Sequence, residues 1–220
     1  MKPLFAYLDA AQRGEENAEH HGDSPAARAL ADQVSWTTRM SPDWRLRLLN
    51  NLRDYLSAYV TEAYYRRLNV VLPVENLLVH RRVCMAMEPS FDFIERVASG
   101  ELADDARRAL RPLADCTSDV LGAVNDVASY AREASHGDVH NLVMAFSREK
   151  GVTVTEAAQA TVEFGNRRIR DLEFLTEQIH AHLPPDQRSM AEKFTENCRT
   201  WIRGYYEWAL ITHRFLVADH

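Results

Sequence analysis

The sequence predicts an all-α protein that forms a single domain over residues 1–220, and three observations carry this prediction. Only eight glycines and eight prolines occur in 220 residues, and most of them stand at the edges of periodic segments. Apolar residues recur at spacings of three and four over long stretches, which is the period of an amphipathic helix. No stretch shows the strict alternation that is typical of a half-buried strand. The sequence contains neither an internal repeat nor a linker between domains.

The first long helix is expected over residues 41–69. Ser41 is a favourable N-cap residue, and Pro42 suits the first helical position, where a backbone N–H would have no helical acceptor. A second helix is expected to begin at Pro73. Pro89 lies inside this second segment and predicts a kink, because proline removes a backbone donor.

The later part of the chain predicts three further long helices and one short one. A third long helix is expected over residues 102–134, followed by a short helix that Gly151 closes. The next helix is expected to run until the prolines at 184 and 185, and the last over residues 186–217. Residues 10–27 are polar and unpatterned, and we expect a mobile loop there.

Composition excludes several classes of function. The net charge is −6 and no Lys/Arg-rich run occurs, which argues against a nucleic-acid surface and favours neutral molecules, or anions carried with metal, as partners. No apolar run approaches the roughly 18 residues of a membrane span.

The cysteines are odd in number and widely spaced, and Cys84, Cys116 and Cys198 are expected to be buried thiols in a reducing compartment. The start "MKPLFAYLDA" is a poor secretion signal. A cytoplasmic location is therefore predicted.

A polar stripe interrupts the apolar face of the third long helix. Asn125, Ser129 and Glu133 stand at i, i+4 and i+8, so they form one ridge of a helix. An amide oxygen, a hydroxyl and a carboxylate are hard oxygen ligands of the kind that Mg²⁺ takes, and Arg132 could contact a phosphate oxygen. The alternative interpretation is an ordinary solvated face. The apolar residues before Asn125 and at Val127 argue against it, because unpartnered polar groups are costly there.

The stretch "NDVASYARE", from Asn125 to Glu133, resembles the second metal motif of the bacterial class I terpene synthases. That motif reads Asn or Asp, Asp, an aliphatic residue, any residue, Ser or Thr, three further residues and Glu. Every fixed position matches here. A Lys or Arg just before the Glu is common in the family, and Arg132 occupies this place. The following "GDVHNLV" also resembles the family's segment after this helix.

Two further segments carry the resemblance. In "VHRRVCMAMEP" the family pattern makes Arg82 the diphosphate sensor, Met85 the linker and Ala86 the effector, whose carbonyl helps to trigger ionisation. The family more often has Gly at the effector position. The segment "WIRGYYEWALITHRF" resembles the family's last helix, with Arg214 as the diphosphate-binding residue and Phe215 in place of the usual Tyr.

The resemblance implies a bundle of mostly antiparallel helices around a deep apolar pocket. It implies that three Mg²⁺ ions and basic residues hold the diphosphate of an isoprenyl diphosphate, here farnesyl or geranyl diphosphate, and that the allylic cation cyclises after the diphosphate leaves. Arg82, Arg132 and Arg214 would bind the diphosphate, and Asn125, Ser129 and Glu133 would bind metal. Trp208 resembles an aromatic wall residue that stabilises a carbocation. The alternative for Trp208 is simple core packing.

One expected element of the family is degenerate in this sequence. The first, aspartate-rich metal motif corresponds to "LFAYLDA", in which Asp9 is the only carboxylate that could retain a metal contact. Glu15 and Glu16 follow in the predicted loop and would need an unusual geometry to replace it. The resemblance spans residues 4–218 and lacks the helices that precede this motif in the family.

Two interpretations of function follow from this pattern. The first is a Mg²⁺-dependent terpene cyclase, a carbon–oxygen lyase acting on an isoprenyl diphosphate. The second is a truncated, non-catalytic homologue that binds diphosphate or associates through its uncovered helix faces, which favour a homodimer. A third explanation of the short N-terminus is a late start codon at Met1.

Overall fold

A computed structural model describes residues 1–15 and 24–215, and within these ranges the chain forms nine α-helices, one 3-10 turn and no strand. The prediction of an all-α protein is confirmed. In chain order the elements are α1 (Lys2–Gln12), α2 (Pro25–Ser35), α3 (Pro42–Leu68), α4 (Val74–Cys84), α5 (Met87–Val97), α6 (Asp104–Ser135), α7 (Leu142–Lys150), α8 (Val154–His182), α9 (Pro185–Ile211) and the 3-10 turn (His213–Phe215). Across the described part of the chain, every helix is too short or too polar to span a lipid bilayer.

Helix α6 lies at the centre of the bundle and packs against α4, α7, α8 and α9. Its buried residues Leu110, Leu113 and Cys116 join an apolar cluster with side chains of α5, α8 and α9. Helix α8 approaches closely where Gly165 faces Ala123, since a Cβ at position 165 would stand 3.3 Å from the Ala123 Cβ. Helix α8 therefore packs tightly against α6 at Ala123, just before the predicted polar stripe begins at Asn125.

Two other apolar clusters complete the core. One joins α1, α2 and α3 around Leu8, Leu30 and Trp44. The other joins α4, α6, α7 and α8 around Leu77 and Val143, both of which are fully buried. The second of these clusters fixes α4 beside α6, and α3 packs against α4 and α5, which is the arrangement that the candidate site requires.

A buried charge network ties α3 and α6 to α5. The carboxylates of Asp92 and Glu95 are fully buried and pair with Arg47 of α3 and Arg107 of α6. The Trp44 indole N–H also donates to Glu95 at 3.2 Å. Burial raises the pKa of the Glu95 carboxyl, and the two arginines oppose this effect. Each buried charge is therefore paired, as a stable interior requires.

Several predicted helix ends agree with the structure. The Ser41 hydroxyl accepts the N–H of Trp44 at 3.2 Å, and Pro42 is the first residue of α3. Gly151 closes α7 with a φ of +65°. Helix α8 ends at His182, two residues before the proline pair.

The predicted kink at Pro89 is wrong in position, because the helix breaks at Met85 and Ala86 instead. Ala86 has a φ of +57° and is the N-cap of α5. Pro89 is the third residue of that helix, where the N–H would have no intrahelical acceptor. Proline therefore fits the first turn of α5 without bending it.

The last helix and the N-terminal loop are both shorter than predicted. Helix α9 ends at Ile211, because Thr212 is extended and its hydroxyl accepts the N–H of Arg214 at 3.2 Å, a local bond that competes with helical bonding. The predicted end at 217 lies outside the described residues.

Within the predicted loop 10–27, α1 extends to Gln12 and α2 begins at Pro25. Residues 16–23 lie outside the described part.

We expect Ala86→Gly to raise the free energy of unfolding. The left-handed conformation costs an alanine about 1–2 kcal/mol, and glycine's greater freedom in the unfolded chain offsets part of the gain. The net stabilisation should be about 0.5–1 kcal/mol in urea unfolding at 25 °C. The control is Ala63→Gly on the exposed face of α3, which should lose a similar amount. Equal losses in both variants would contradict the strained conformation at position 86.

Candidate active site

The predicted stripe forms one face of α6 and opens into a pocket. Asn125 and Glu133 are partly buried and line this pocket, whereas Ser129 between them is only 1% exposed. The Ser129 Oγ is buried and has no hydrogen-bond partner among the described residues. A helical serine usually bonds the carbonyl four residues earlier. The hydroxyl here is a buried polar group without a partner, between two residues that line the pocket.

The side-chain amide of Asn125 is held from two helices. Its Oδ1 accepts from the Arg81 guanidinium of α4 at 3.0 Å, and its Nδ2 donates to the Tyr205 hydroxyl of α9 at 2.7 Å. Burial raises the pKa of Tyr205, so this hydroxyl keeps its proton at neutral pH. These two bonds orient the amide and leave the second lone pair of Oδ1 for another donor or a cation.

The carboxylate of Glu133 is oriented by the start of α7. Asn141 caps this helix by accepting the N–H of Val143 at 2.9 Å. Its side-chain amide donates to Glu133 at 2.9 Å and to the carbonyl of Asp126 at 2.8 Å. One buried residue thus ties the end of the stripe to the backbone of α6 and to the helix that follows.

Asp126 lies beside the stripe and is fully buried. Its carboxylate pairs with Arg81 and accepts the N–H of Leu142 at 2.7 Å. Burial raises the pKa of Asp126 to about 7, while Arg81 and the Leu142 N–H act in the opposite direction. The ionised carboxylate pairs with Arg81 and holds its guanidinium at the pocket.

The pocket has a volume of about 330 Å³ and is lined by residues of α3, α4, α5, α6 and α9, of the 3-10 turn and of the connecting segments. Its charged and polar walls combine four arginines with three carboxylates. Its apolar walls contain Met85, Met87 and Leu121 together with four aromatic residues. The charged and aromatic residues are Arg66, Arg81, Arg132, Arg214, Glu62, Glu133, Asp138, Tyr55, Tyr59, Trp201 and Tyr205.

The structure turns Arg82 away from this pocket. Its guanidinium makes a two-pronged contact with Asp119 at 2.8 and 2.9 Å and a further contact with Asp115 at 2.9 Å. Neighbouring residues on a helix point about 100° apart, so only one residue of the Arg81–Arg82 pair can face Asn125. That residue is Arg81, and the resemblance assigned the sensor position to its neighbour.

Ala86 forms the expected helix break, but its carbonyl is occupied within α5. It accepts the N–H of Ser90 at 3.2 Å and the Ser90 hydroxyl at 2.8 Å. This is the ordinary role of an N-cap carbonyl, which accepts the first bond of its helix. The side chain of Met85, one residue earlier, lines the pocket instead.

The predicted residues near the end of α9 are divided between the pocket and the surface. Arg214 stands on the 3-10 turn and lines the pocket. Trp208 does not line it, because it packs between Tyr205 and Phe215 with ring centroids 5.4 and 5.6 Å apart. Trp208 is 37% exposed, so its position is not that of the core residue that the alternative interpretation expected. Trp201 is the indole that faces the pocket.

The residues of the degenerate first motif do not line the pocket. The carboxylate of Asp9 is 52% exposed and pairs with Arg53 of α3. Glu15 pairs with Arg13 at 2.9 Å, and Glu16 lies outside the described residues. Opposite the stripe, the carboxylate that enters the pocket is Glu62 of α3, whose side chain is 13% exposed.

The donors of the stripe fit a hard divalent cation. Asn125, Ser129 and Glu133 offer one amide, one hydroxyl and one carboxylate oxygen on a single ridge. Such oxygen sets suit Mg²⁺, which keeps several waters and shares its shell with phosphates. The unpartnered Ser129 Oγ is the observation that favours a missing ligand at this place.

The sequence patterns do not indicate several residues that the structure places in the site. Arg81 is adjacent to Arg82, which the family resemblance makes the diphosphate sensor. Only the rotation of α4 about its axis determines which of the two arginines faces the pocket. Asn141 has a signal, since it is an N-cap residue type before a short helix. Tyr205 lies 80 residues from Asn125, and nothing in the local sequence connects them.

Comparison with known proteins shows the family of the chain. A family model described as terpene synthase family 2, C-terminal metal binding, matches residues 2–171. The chain is 30% identical over 201 residues to pristinol synthase of Streptomyces pristinaespiralis, covering 88% of this chain and 54% of that protein. It is 31% identical over 201 residues to (-)-delta-cadinene synthase of Streptomyces clavuligerus, covering 87% and 61%. The chain thus spans little more than half the length of these curated relatives.

A solved structure shows the same fold. The crystal structure of a linalool/nerolidol synthase from Streptomyces clavuligerus superposes with a TM-score of 0.85 at 22% identity. The superposition covers 94% of this chain and 73% of that one. The arrangement of helices is therefore that of class I terpene synthases.

We expect Asp126→Asn to be strongly destabilising, because it leaves the Arg81 guanidinium buried without its counter-charge. The loss should be about 3–5 kcal/mol in urea unfolding at pH 8, where the pair is formed. The control is Asp171→Asn, whose carboxylate is 50% exposed and pairs with Arg168. It should lose less than about 1 kcal/mol.

A double variant separates the charge from simple loss of packing. Replacing both partners, Arg81→Met with Asp126→Leu, should cost less than the single Asp126→Asn change. A double variant that is less stable than Asp126→Asn would contradict the assigned cause.

Proposed function

The chain belongs to the bacterial class I terpene synthase family, and from that premise we propose that its pocket binds Mg²⁺ and an isoprenyl diphosphate and promotes ionisation and cyclisation of the prenyl chain. The substrate we propose is farnesyl or geranyl diphosphate. The observation that carries the proposal is the unpartnered, buried Ser129 hydroxyl, which stands on one ridge between Asn125 and Glu133, two residues that line the pocket together with its arginines.

The stripe would hold the cation through the Asn125, Ser129 and Glu133 oxygens. Mg²⁺ bound there supplies positive charge that stabilises the negative charge developing on the departing diphosphate. The protein fixes two of these three oxygens in advance. Asn125 is oriented by Arg81 and Tyr205, and Glu133 by Asn141. Such preorganisation reduces the reorganisation needed during reaction.

The arginines would bind and orient the diphosphate. Arg81 is held by Asp126, so its position does not depend on the substrate. Arg132 has a buried Nε without a partner among the described residues, and Arg214 reaches the same pocket from the 3-10 turn. Guanidinium groups suit phosphate oxygens because they donate two parallel hydrogen bonds.

The prenyl chain would lie against the apolar wall of the pocket. Met85, Met87 and Leu121 offer apolar contacts and exclude water from the cation. Trp201 and Tyr205 present aromatic rings on the same wall. The π faces of such rings attract a cation within about 6 Å.

A second candidate function is diphosphate binding without turnover. It is favoured by Asp9, which pairs with Arg53 and leaves the pocket with one recognised metal motif. An apolar groove of about 790 Å³ between α8 and α9, lined in part by Ile169, Ile202 and Leu210, offers a surface for a helical partner.

Turnover tests the first function directly. Purified protein with Mg²⁺ and geranyl, farnesyl or geranylgeranyl diphosphate should release a terpene hydrocarbon or alcohol, detected by gas chromatography. Glu133→Gln should lower the rate at least about tenfold, since it removes a metal ligand. The control is Glu163→Gln, which is exposed on α8 and should keep the rate. Diphosphate binding without any product would favour the second function.

Calorimetry with inorganic diphosphate and Mg²⁺ tests which arginines bind. Arg132→Gln and Arg214→Gln should each weaken binding by about 10-fold or more, because a hydrogen bond to a charged group is worth about 1.5–3 kcal/mol. Arg82→Gln should leave the affinity unchanged, because Asp115 and Asp119 already hold this guanidinium away from the pocket. A comparable loss in Arg82→Gln would restore the sensor role that the family pattern gives it.

A further inference from the structure

A second group of metal-binding residues lies on the wall opposite the oxygen stripe. Glu62 belongs to α3, and His80 and Cys84 stand one helical turn apart on α4. One ligand atom from each residue lies within 4.8 Å of the other two. His80 and Cys84 lie within the segment "VHRRVCMAMEP", but the family resemblance gives a role there only to Arg82, Met85 and Ala86.

The cysteine of this group is buried and nearly without polar contacts. Cys84 is 5% exposed, and its Sγ makes one weak contact with the Arg81 carbonyl at 3.9 Å. Burial raises the pKa of the Cys84 thiol to about 12, so the thiol is protonated when no cation is bound. Metal binding at a cysteine releases this proton and stabilises the thiolate.

Two histidines supply further nitrogen atoms at the same place. The rings of His80 and His140 stand 5.3 Å apart, and neither Nε2 has a hydrogen-bond partner among the described residues although both atoms are buried. His140 is 4% exposed, and its Nδ1 lies 3.5 Å from the Glu62 carboxylate. Buried polar atoms without partners are rare and require an explanation.

We propose that Glu62, His80 and Cys84 bind a Zn²⁺ ion between α3 and α4, with His140 orienting the Glu62 carboxylate. A carboxylate, an imidazole and a thiolate form the mixed oxygen, nitrogen and sulfur set that Zn²⁺ accepts. Mg²⁺ demands oxygen ligands and suits the stripe instead. Ligand atoms around tetrahedral zinc stand roughly 3.3–3.6 Å apart, so the three side chains need to approach by about an ångström.

The ion would remove one negative charge from this wall of the pocket, because the metal-free set carries the Glu62 carboxylate and a protonated Cys84 thiol. A thiolate and a carboxylate together balance the two positive charges of Zn²⁺, so the nearby Arg81 guanidinium would face a neutral group. Because His80 precedes Arg81 on α4, a metal bond to His80 would also fix the helix that presents Arg81 to Asn125. Three protein ligands leave one tetrahedral position for water.

Cobalt provides the spectroscopic test, because a bound thiolate gives Co²⁺ a charge-transfer band in the near ultraviolet. The full-length chain, stripped with a chelator and kept reduced without thiols, should develop this band at one equivalent of Co²⁺, and Zn²⁺ should abolish it by displacement. Cys84→Ala should remove the band. The matched control is Cys116→Ala, which deletes another fully buried thiol and should keep it.

Further variants locate the ion without relying on the cysteine. His80→Gln should weaken Zn²⁺ binding at least tenfold in competition with a chelating dye, and His140→Gln about tenfold. Glu133→Gln, in the oxygen stripe, should leave Zn²⁺ affinity unchanged. Near-ultraviolet circular dichroism of each metal-free variant shows whether it has folded. A charge-transfer band that persists in Cys84→Ala, or Zn²⁺ affinity that falls only in Glu133→Gln, would overturn the proposal.

Discussion

The buried ion pair between Arg81 and Asp126 connects the helices that position the oxygen stripe of the candidate site. Two charges removed from water are costly unless their remaining hydrogen bonds are satisfied. Here Asp126 also accepts the Leu142 N–H, and Arg81 also donates to Asn125. Helix α4, the middle of α6 and the start of α7 are therefore fixed relative to one another by this ion pair and its two further hydrogen bonds. The apolar packing around Leu77 and Val143 encloses it.

The stripe on α6 was predictable, because its geometry is local. Spacing of four residues places Asn125, Ser129 and Glu133 on one ridge in any α-helix, wherever the helix lies. The caps at Ser41 and Gly151 were predictable for the same reason. Which of Arg81 and Arg82 faces the pocket could not be predicted from local spacing. It depends on how α4 is rotated, and this rotation is set by carboxylates of α6 some 40 positions later in the chain, Asp119 and Asp126.

The helix ends that were misplaced share a physical cause. Pro89 was expected to bend a continuous helix, but a proline in the first turn removes no helical bond. The true break is at Ala86, whose backbone has a left-handed conformation. Alanine rarely adopts this conformation, so the residue type does not predict it. At the C-terminal end, the Thr212 hydroxyl offers the Arg214 N–H a local acceptor. This local hydrogen bond competes with the helical ones, and it depends on the position of the Thr212 side chain. The spacing of apolar residues therefore does not predict where the helix ends.

Charge balance explains why the proposed chemistry would need a cation at the stripe. Of the four pocket arginines, Arg66 pairs with Asp138 and Arg81 with Asp126, so these two contribute little net positive charge. Arg132 and Arg214 remain. A single phosphate already carries about −1.5 to −2 at pH 7, and a diphosphate carries more, while Glu62 and Glu133 add negative charge to the walls. A divalent cation on Asn125, Ser129 and Glu133 would reverse that balance at the place where the leaving group gains its charge.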